Sequence, residues 1–561
     1  MSNVKSYISS KNGRETLFVN GSAVEGMAYM IYYTEKNHYA DFASAGYRLY
    51  SLPVFFGDGF INEISHLPPF KKGIFVDADP DFEDFDRDVR DILSARHDAY
   101  IFPRVNVSLP TRWESEHPDE LNDTGSQAFP DCRRACFSSD AWAEEIKRCL
   151  SIFIAHIEES DYAEHIVGYQ IAGGQTEEWM SHDIKGSQGK RSREKFSEIC
   201  QNEGLEGTDE QYYSYLSRIT AERICEFAAH VKEITDHRLV VGAFYGYTME
   251  LSARTMTHYA LARVLEDKNV DFLCSPVSYA CLRAAGRDHA CMLPLNSLKA
   301  HGKLYFAEND TRTHLSKAPC DLPAYQHPIW FGGDKDTTLN ILKMHFARAL
   351  THGHALWWFD MWGGWYDDEE YMSLMKKMRD VYVDSMDKSM GSRAELAVFI
   401  DENCIFGMKD SAPYSRVCYK IRENLGKCGA PYDIYLASDY STVADRYKAI
   451  ISLVPAETEL SRNIEKQTLA NGQGYLKITN DNFAITTDEL RSFLDASGVF
   501  LYCKDDAVIY ACDSFIFLHT AHSGEQKIDL PDGMRLREVF TGDEYSPFNS
   551  DVGKSYLFKI L

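Results

Sequence analysis

The chain has 561 residues, of which 44% are hydrophobic and 25% charged. That profile gives enough apolar surface for a large core and excludes wholesale disorder, and at about 100–200 residues per domain it predicts roughly three domains. The formal charge of −25, from 59 Lys and Arg against 84 Asp and Glu, excludes nucleic acid or an anionic membrane surface as the main partner, because polyanions are held by clustered Lys and Arg.

The N-terminus, MSNVKSYISSKNGRE, carries no apolar signal core, and no run of about 18 apolar residues follows, so a cytoplasmic protein without a membrane span is expected. Fourteen cysteines are scattered with no C-x-x-C spacing, as reduced thiols would be. The C-x3-C pair Cys132 and Cys136 is read as free thiols rather than a zinc site.

Eight short apolar segments follow in the first 360 residues: Gly26–Tyr33, Arg48–Phe55, Tyr100–Val105, Ile166–Ile171, Leu239–Phe244, Phe272–Pro276, Leu304–Ala307 and Ala355–Phe359. Most are nearly continuous in apolar residues, as strands buried on both faces are. Helical spacing separates them; Trp142, Ile146, Cys149, Leu150, Phe153 and Ile157 form one such stripe. Eight βα units predict an α/β fold built on a (β/α)8 barrel. Long connections after the third and fourth strands, 108–138 and 172–211, would lie on the face where such barrels keep their sites. Near Ser392 the pattern changes. Ala394–Ile400, a helix over Tyr414–Gly426, Tyr432–Tyr435, Ala449–Val454 and a helix over Asp488–Leu494 read as a small doubly wound, flavodoxin-like α/β unit. From Val499 the runs VFLYC, AVIYAC, FIFLHTA and SYLFKIL predict a small antiparallel β-sandwich. The expected domains are therefore 1–390, 391–496 and 497–561.

Three motifs sit where barrel strands would end. In GYQIAGGQTEEW, Gly168 to Trp179, two glycines release the backbone before Glu177, Glu178 and Trp179; a carboxyl beside a large aromatic is partly desolvated, which raises its pKa and suits a general acid. In LYFAENDTRTH, Leu304 to His314, Glu308 would emerge from the seventh strand with Asp310 and Arg312 close behind; a carboxylate beside an Arg stays ionised, as a nucleophile must. In ALWWFDMWGGWY, Ala355 to Tyr366, Trp362 and Trp365 flank a Gly-Gly past the eighth strand near Asp360. They are hard to bury in a barrel core and would present flat faces to a sugar. Arg104 and Asn106 close the third strand, Trp113 lies in its loop, Tyr245 and Tyr247 follow the fifth strand, and Tyr279 follows the sixth. Seven of the eight tryptophans, all but Trp142, fall in these loops or the last strand. No GxGxxG after the first strand, GxxxxGK[ST], HExxH or GxSxG occurs, so neither cofactor nor metal is expected.

With these residues in place, the sequence resembles the clan A glycoside hydrolases, and most closely the family 42 β-galactosidase-like proteins. The resemblance spans nearly the whole chain and implies a catalytic barrel, a trimerisation domain and a small C-terminal β domain, acting as a homotrimer on a small carbohydrate. It implies an acid/base after strand four, a nucleophile ending strand seven and a supporting Tyr after strand six, at Glu178, Glu308 and Tyr279. Arg104, Asn106, Glu177, Asp310, Arg312, Asp360 and Trp362 are the expected substrate-binding residues. The chain departs from the family pattern where an Asn precedes the acid/base: Glu177 stands there, which leaves Glu177 and Glu178 both open as the acid. The expected reaction is retaining hydrolysis of a β-glycoside, galactoside or another sugar such as a mannoside, glucoside or arabinoside. A barrel that binds carbohydrate without cleaving it is the alternative.

Overall fold

The computed structural model describes residues 3–59, 70–125, 131–174, 176–181, 183, 186–279, 283–317 and 333–561. A three-stranded antiparallel sheet comes first, β1 (Ser6–Lys11), β2 (Arg14–Val19) and β3 (Ser22–Val24). It was not among the expected elements, although its two turns, Asn12-Gly13 and Asn20-Gly21, have positive φ at all four positions, which is the hairpin signature of Asn-Gly. Ser6 ties this sheet to the N-terminal ends of barrel strands: its amide donates to Arg238 O (2.8 Å), and its hydroxyl accepts from Val240 N (2.9 Å).

Eight parallel strands then close the barrel: β4 (Met27–Met30), β5 (Leu49–Phe55), β6 (Tyr100–Asn106), β7 (Gly168–Ala172), β8 (Val240–Phe244), β9 (Phe272–Pro276), β10 (Leu304–Asn309) and β11 (Ala355–Phe359). Each coincides with an apolar segment read from the sequence. Every residue in them is buried except half-buried Tyr100, because helices cover the outside and side chains fill the inside.

The inside is packed in layers. The rings of Phe102, Phe272 and Phe306 meet edge to face at 5.7–6.0 Å, and Trp357 packs on Phe244 and Phe306 at 5.9 and 5.6 Å. Glycines make the room. A Cβ at Gly242 would lie 2.3 Å from the Phe272 ring, and one at Gly168 would lie 2.6 Å from Phe102. The strand period of two does the rest. Phe102 points inward, so Arg104 and Asn106 also point inward, one and two layers nearer the C-terminal mouth. Phe306 likewise sets Glu308 above it.

A four-stranded parallel sheet follows in the order β13-β12-β14-β15, with β12 (Leu396–Ile400), β13 (Tyr432–Leu436), β14 (Ala449–Leu453) and β15 (Gly474–Ile478). This is the doubly wound order expected, with two additions: the half-buried strand β15 and the helix Glu459–Ala470, both too polar to stand out in the sequence. The single helix expected over Tyr414–Gly426 is instead a helical turn, a π segment over Ser415–Lys420 and a second turn over Arg422–Leu425. With i→i+5 bonding, residues five apart fall near one face, which a 3.6-residue turn does not allow. Tyr414 and Tyr419 both use that face to donate to the barrel loops, at Thr248 O (2.7 Å) and Tyr279 O (2.6 Å).

The last unit is an antiparallel sheet ordered β16-β17-β21-β19, from Ala507–Ala511, Phe515–Thr520, Ser555–Ile560 and Leu536–Glu538. A two-stranded ribbon, β18 (Gly524–Gln526) with β20 (Phe548–Ser550), lies beside it. The run VFLYC, expected as a strand, is not one. The amides of Tyr502 and Cys503 are both taken by Gly429 O (2.9 and 3.1 Å), which pins the segment to the second unit instead. No helix among the described residues is long and apolar enough to cross a membrane.

Candidate active site

The mouth of the barrel gathers most of the residues picked out by the motifs. Arg104 is at its centre, 1% exposed, with one guanidinium nitrogen 3.0 Å from Glu308 Oε2 and another 2.9 Å from Glu177 Oε2. Its cation lies over the rings of Phe244 (4.4 Å), Tyr32 (5.5 Å) and Phe359 (5.8 Å). Two carboxylates and an aromatic box offset the cost of burying the charge. Arg104→Ala is expected to lower stability by about 3–5 kcal/mol at neutral pH, because two buried carboxylates lose their shared cation. Urea unfolding at pH 8 and pH 5 checks this, and the loss should shrink at the lower pH, where Glu308 can take a proton.

Glu177 and Glu178 are adjacent in sequence and differ in environment. Glu177 is fully buried, and its carboxylate accepts from Tyr32 OH (2.6 Å), Arg104 and Asn106 Nδ2 (3.5 Å). It holds Arg104 and Asn106 in place. Glu178 is half-buried, and its carboxylate accepts from Tyr247 OH (2.8 Å) and from the Thr176 hydroxyl. Burial pushes its pKa up to about 7 against these two donors, with Arg104 opposing the rise and Asp310 adding to it. Burial also raises the pKa of Glu308, opposed chiefly by Arg104 and reinforced by Asp310 and Glu178. Each carboxylate therefore disfavours ionisation of the other, so the pair tends to hold one proton. Among the described residues, Glu308 has the ion pair and Glu178 has only hydroxyl donors. That contrast favours the charge on Glu308 and the proton on Glu178.

The backbone that presents Glu178 is strained. Thr176, Glu177 and Trp179 all have positive φ, at 55°, 68° and 60°. Such conformations cost about 1–3 kcal/mol each and persist only where the surroundings over-determine them. Here the Trp179 ring is an anchor: fully buried among Phe137, Trp142 and Phe227, it donates from Nε1 to Ile171 O (3.0 Å).

Tyr279 donates to Asp310 Oδ2 (3.3 Å), and Arg283 pairs with the other Asp310 oxygen while stacking on the Tyr279 ring at 4.2 Å. The loop holding Tyr279 is braced by Glu250, which accepts from Tyr279 N (3.0 Å) and pairs with Arg422 of the α/β unit (2.9 Å).

The eighth-strand motif differs from expectation. Trp362 and Trp365 are buried, at 5% and 0% exposure, because the Gly-Gly loop folds back onto the strand end, where Gly363 N and Trp365 N both donate to Asp360 (2.8 Å each). Arg312 covers one face of Trp362 at 4.3 Å. Asp360 is fully buried and accepts from Trp365 N (2.8 Å) and Tyr29 OH (2.9 Å). The geometry gives it a bracing role in this loop, where sugar contact was expected. Trp362 borders a cavity of about 510 Å3, with Tyr33, Lys36, Leu315 and Asp367 among its other walls. Trp113 stacks on His117 at 4.2 Å and lines a different cavity, with Arg112 and Cys149. Trp330 lies outside the described residues.

Several residues of the site carried no local signal. Tyr32 was read as part of the first strand. Arg283 lies 27 residues from the Asp310 it pairs with. Tyr247 stood out only by its place after a strand. Among the described residues, no cluster of three or more His, Cys, Asp or Glu could hold a metal ion.

No protein-family model matches the chain, and no curated protein sequence matches it. Solved structures match its fold over nearly its full length. The β-galactosidase of Bacillus circulans sp. alkalophilus gives a TM-score of 0.64 at 11% identity, over 96% of this chain and 99% of that one. A GH42 β-galactosidase from G. stearothermophilus gives 0.63 at 9% identity, over 95% and 98%. An exo-carrageenase, GH42, from Bacteroides ovatus gives 0.60 at 11% identity, over 100% and 84%. The chain therefore has the architecture of these enzymes: barrel, α/β unit and terminal β unit in the same order.

Proposed function

We propose that the protein is a retaining β-glycoside hydrolase. The observation that carries this reading is that Glu178 follows the fourth strand and Glu308 lies near the end of the seventh strand of one barrel, with Arg104 ion-paired to Glu308 alone of the two. Glu308 in its ionised form, which Arg104 favours against burial, attacks the anomeric carbon while Glu178 gives its proton to the leaving oxygen. The C–O bond to the aglycone breaks as the glycosyl–Glu308 ester forms. Glu178, now ionised, takes a proton from water, which attacks the same carbon and frees Glu308.

Glu177 stands where the family resemblance expects an Asn. Its carboxylate is spent on Arg104, Tyr32 and Asn106, so it is not the proton donor. That leaves Arg104 and Asn106 nearest the position of the sugar 2-hydroxyl. Asp310, aligned by Arg283 and Tyr279, is the next polar group available to a sugar. The names of the fold neighbours point to galactose-based substrates. The loss of the Asn leaves mannosides, glucosides and arabinosides in the same field. As in the resemblance, the α/β unit serves assembly into a homotrimer, and light scattering should give about three times the 64.0 kDa monomer mass.

A panel of nitrophenyl β-glycosides tests the reading. Release of nitrophenol from at least one member, with the first-formed sugar keeping the β configuration by NMR, is expected. Binding without release across the panel would favour a non-catalytic carbohydrate-binding barrel.

A further inference from the structure

The buried imidazole of His258 links the two loops that supply Glu178 and its hydroxyl donor. Its Nε2 lies 2.8 Å from Glu178 O. Its Nδ1 lies 3.2 Å from both Gly246 N and Tyr247 N. Two backbone N–H groups pointing at Nδ1 require a lone pair there, so the proton is on Nε2 and is donated to the Glu178 carbonyl. The ring is fully buried, stacked on Tyr245 at 4.9 Å and against Tyr247 at 4.6 Å. Burial keeps it neutral, with its pKa pushed down to about 3.

Through this one ring, the backbone of Glu178 and the backbone of Tyr247 are fixed to each other. The Tyr247 hydroxyl then reaches Glu178 Oε1 at 2.8 Å. The neighbouring residue repeats the clamp, with the Thr257 hydroxyl donating to Trp179 O (3.4 Å). The α/β unit closes the far side: Glu402 accepts from Leu261 N (2.6 Å) and Ala262 N (3.0 Å), three and four residues after His258.

We propose that His258 is a positioning residue for the proton donor: it holds the strained turn around Glu178 so that the carboxyl stays half-buried against Tyr247, and it touches no substrate. This role rests on Glu178 being the acid/base. It explains why three left-handed residues are tolerated in so short a stretch, since a turn without an outside donor at Glu178 O would relax.

The test separates proton donation from every other step. His258→Ala, His258→Gln and His258→Asn are compared with the parent on two β-glycosides of one sugar, a dinitrophenyl aglycone that leaves without a proton and an alkyl aglycone that needs one. In His258→Ala, kcat on the alkyl glycoside should fall about 10- to 100-fold, as a displaced catalytic group does. On the dinitrophenyl glycoside, kcat/KM, which reports formation of the glycosyl-enzyme, should stay within about threefold of the parent, while kcat falls with the misplaced base of the second step. The alkaline limb of kcat/KM should move to lower pH, because the released carboxyl meets water. The groups facing Glu178 (Tyr247, Tyr279, Arg104, Asp310 and Glu308) are unchanged. His258→Gln keeps an N–H for the Glu178 carbonyl and should recover much of the alkyl rate, whereas His258→Asn, which can only accept from the Gly246 side, should not. If His258→Ala does not fold, the Gln and Asn variants decide the matter between them. Equal losses of kcat/KM on both aglycones, or an unmoved alkaline limb, would overturn the role. If Glu178→Gln itself hydrolyses the alkyl glycoside at the parent rate, the acid/base assignment has failed instead.

Discussion

Glu308→Gln is expected to lose at least about 10^3-fold in kcat on every glycoside, whatever its leaving group, because the step it removes is bond formation at the anomeric carbon. The amide has no charge to donate and no means of forming the ester. It also leaves Arg104 with one carboxylate, Glu177, in place of two. The fold should survive this change, since the neutral amide can still accept from the guanidinium. Far-UV circular dichroism and unfolding by urea would confirm that the lost rate is chemical. A Glu308→Gln variant with the parent rate would remove Glu308 from the mechanism.

Glu178→Gln is expected to behave differently, and the difference is diagnostic. General acid catalysis contributes about 10^2–10^4-fold, so slow-leaving aglycones should lose that much while dinitrophenyl glycosides still form the glycosyl-enzyme at close to the normal rate. Added azide should then speed turnover by attacking the intermediate without a base. Stability gives a second, independent reading. The folded-state pKa of Glu178 is raised from 4.5 to about 7, so the folded protein holds a proton that the unfolded chain releases as pH rises through the usual carboxyl range. The parent is therefore destabilised between about pH 4.5 and 7, with the full penalty, on the order of 3 kcal/mol, present above pH 7. The amide of the Glu178→Gln variant has no proton to lose. That variant should unfold at higher urea than the parent at pH 8 and at the same urea near pH 4. A variant less stable than the parent at pH 8 would mean that Glu178 is not held against its ionisation.

How much of this was legible in the sequence follows from the range over which each signal acts. The barrel strands announce themselves because a strand buried on both faces must be apolar along its length, and Phe272–Pro276 and Ala355–Phe359 were placed to the residue. Glu178 and Glu308 stood out because polar residues directly after such strands have few structural reasons to be there. The division of labour between Glu177 and Glu178 was not legible. It depends on Tyr32, Arg104 and Tyr247, which arrive from three other strands. The same holds for Trp362 and Trp365: Gly363-Gly364, at φ of 85° and 77°, turn the chain back onto Asp360 at the strand end. A window of sequence shows that the turn is permitted but not which way it folds. The π segment at Ser415–Lys420 is likewise set by what it docks against and not by its own residues. The Asn-Gly hairpins at the N-terminus are the opposite case. Their signal was local and sufficient, and it was obscured by the polar strands around it.

The most direct test of the central claim is to trap the glycosyl-enzyme. A 2-deoxy-2-fluoro β-glycoside with a dinitrophenyl leaving group, chosen from the sugar that the panel identifies, slows the hydrolysis of the intermediate more than its formation. Mass spectrometry of the protease digest should then find one sugar esterified to the peptide that carries Glu308, and none in the Glu308→Gln variant. A label on Glu177, Glu178 or Asp310, or turnover with inversion and no label, would contradict the account.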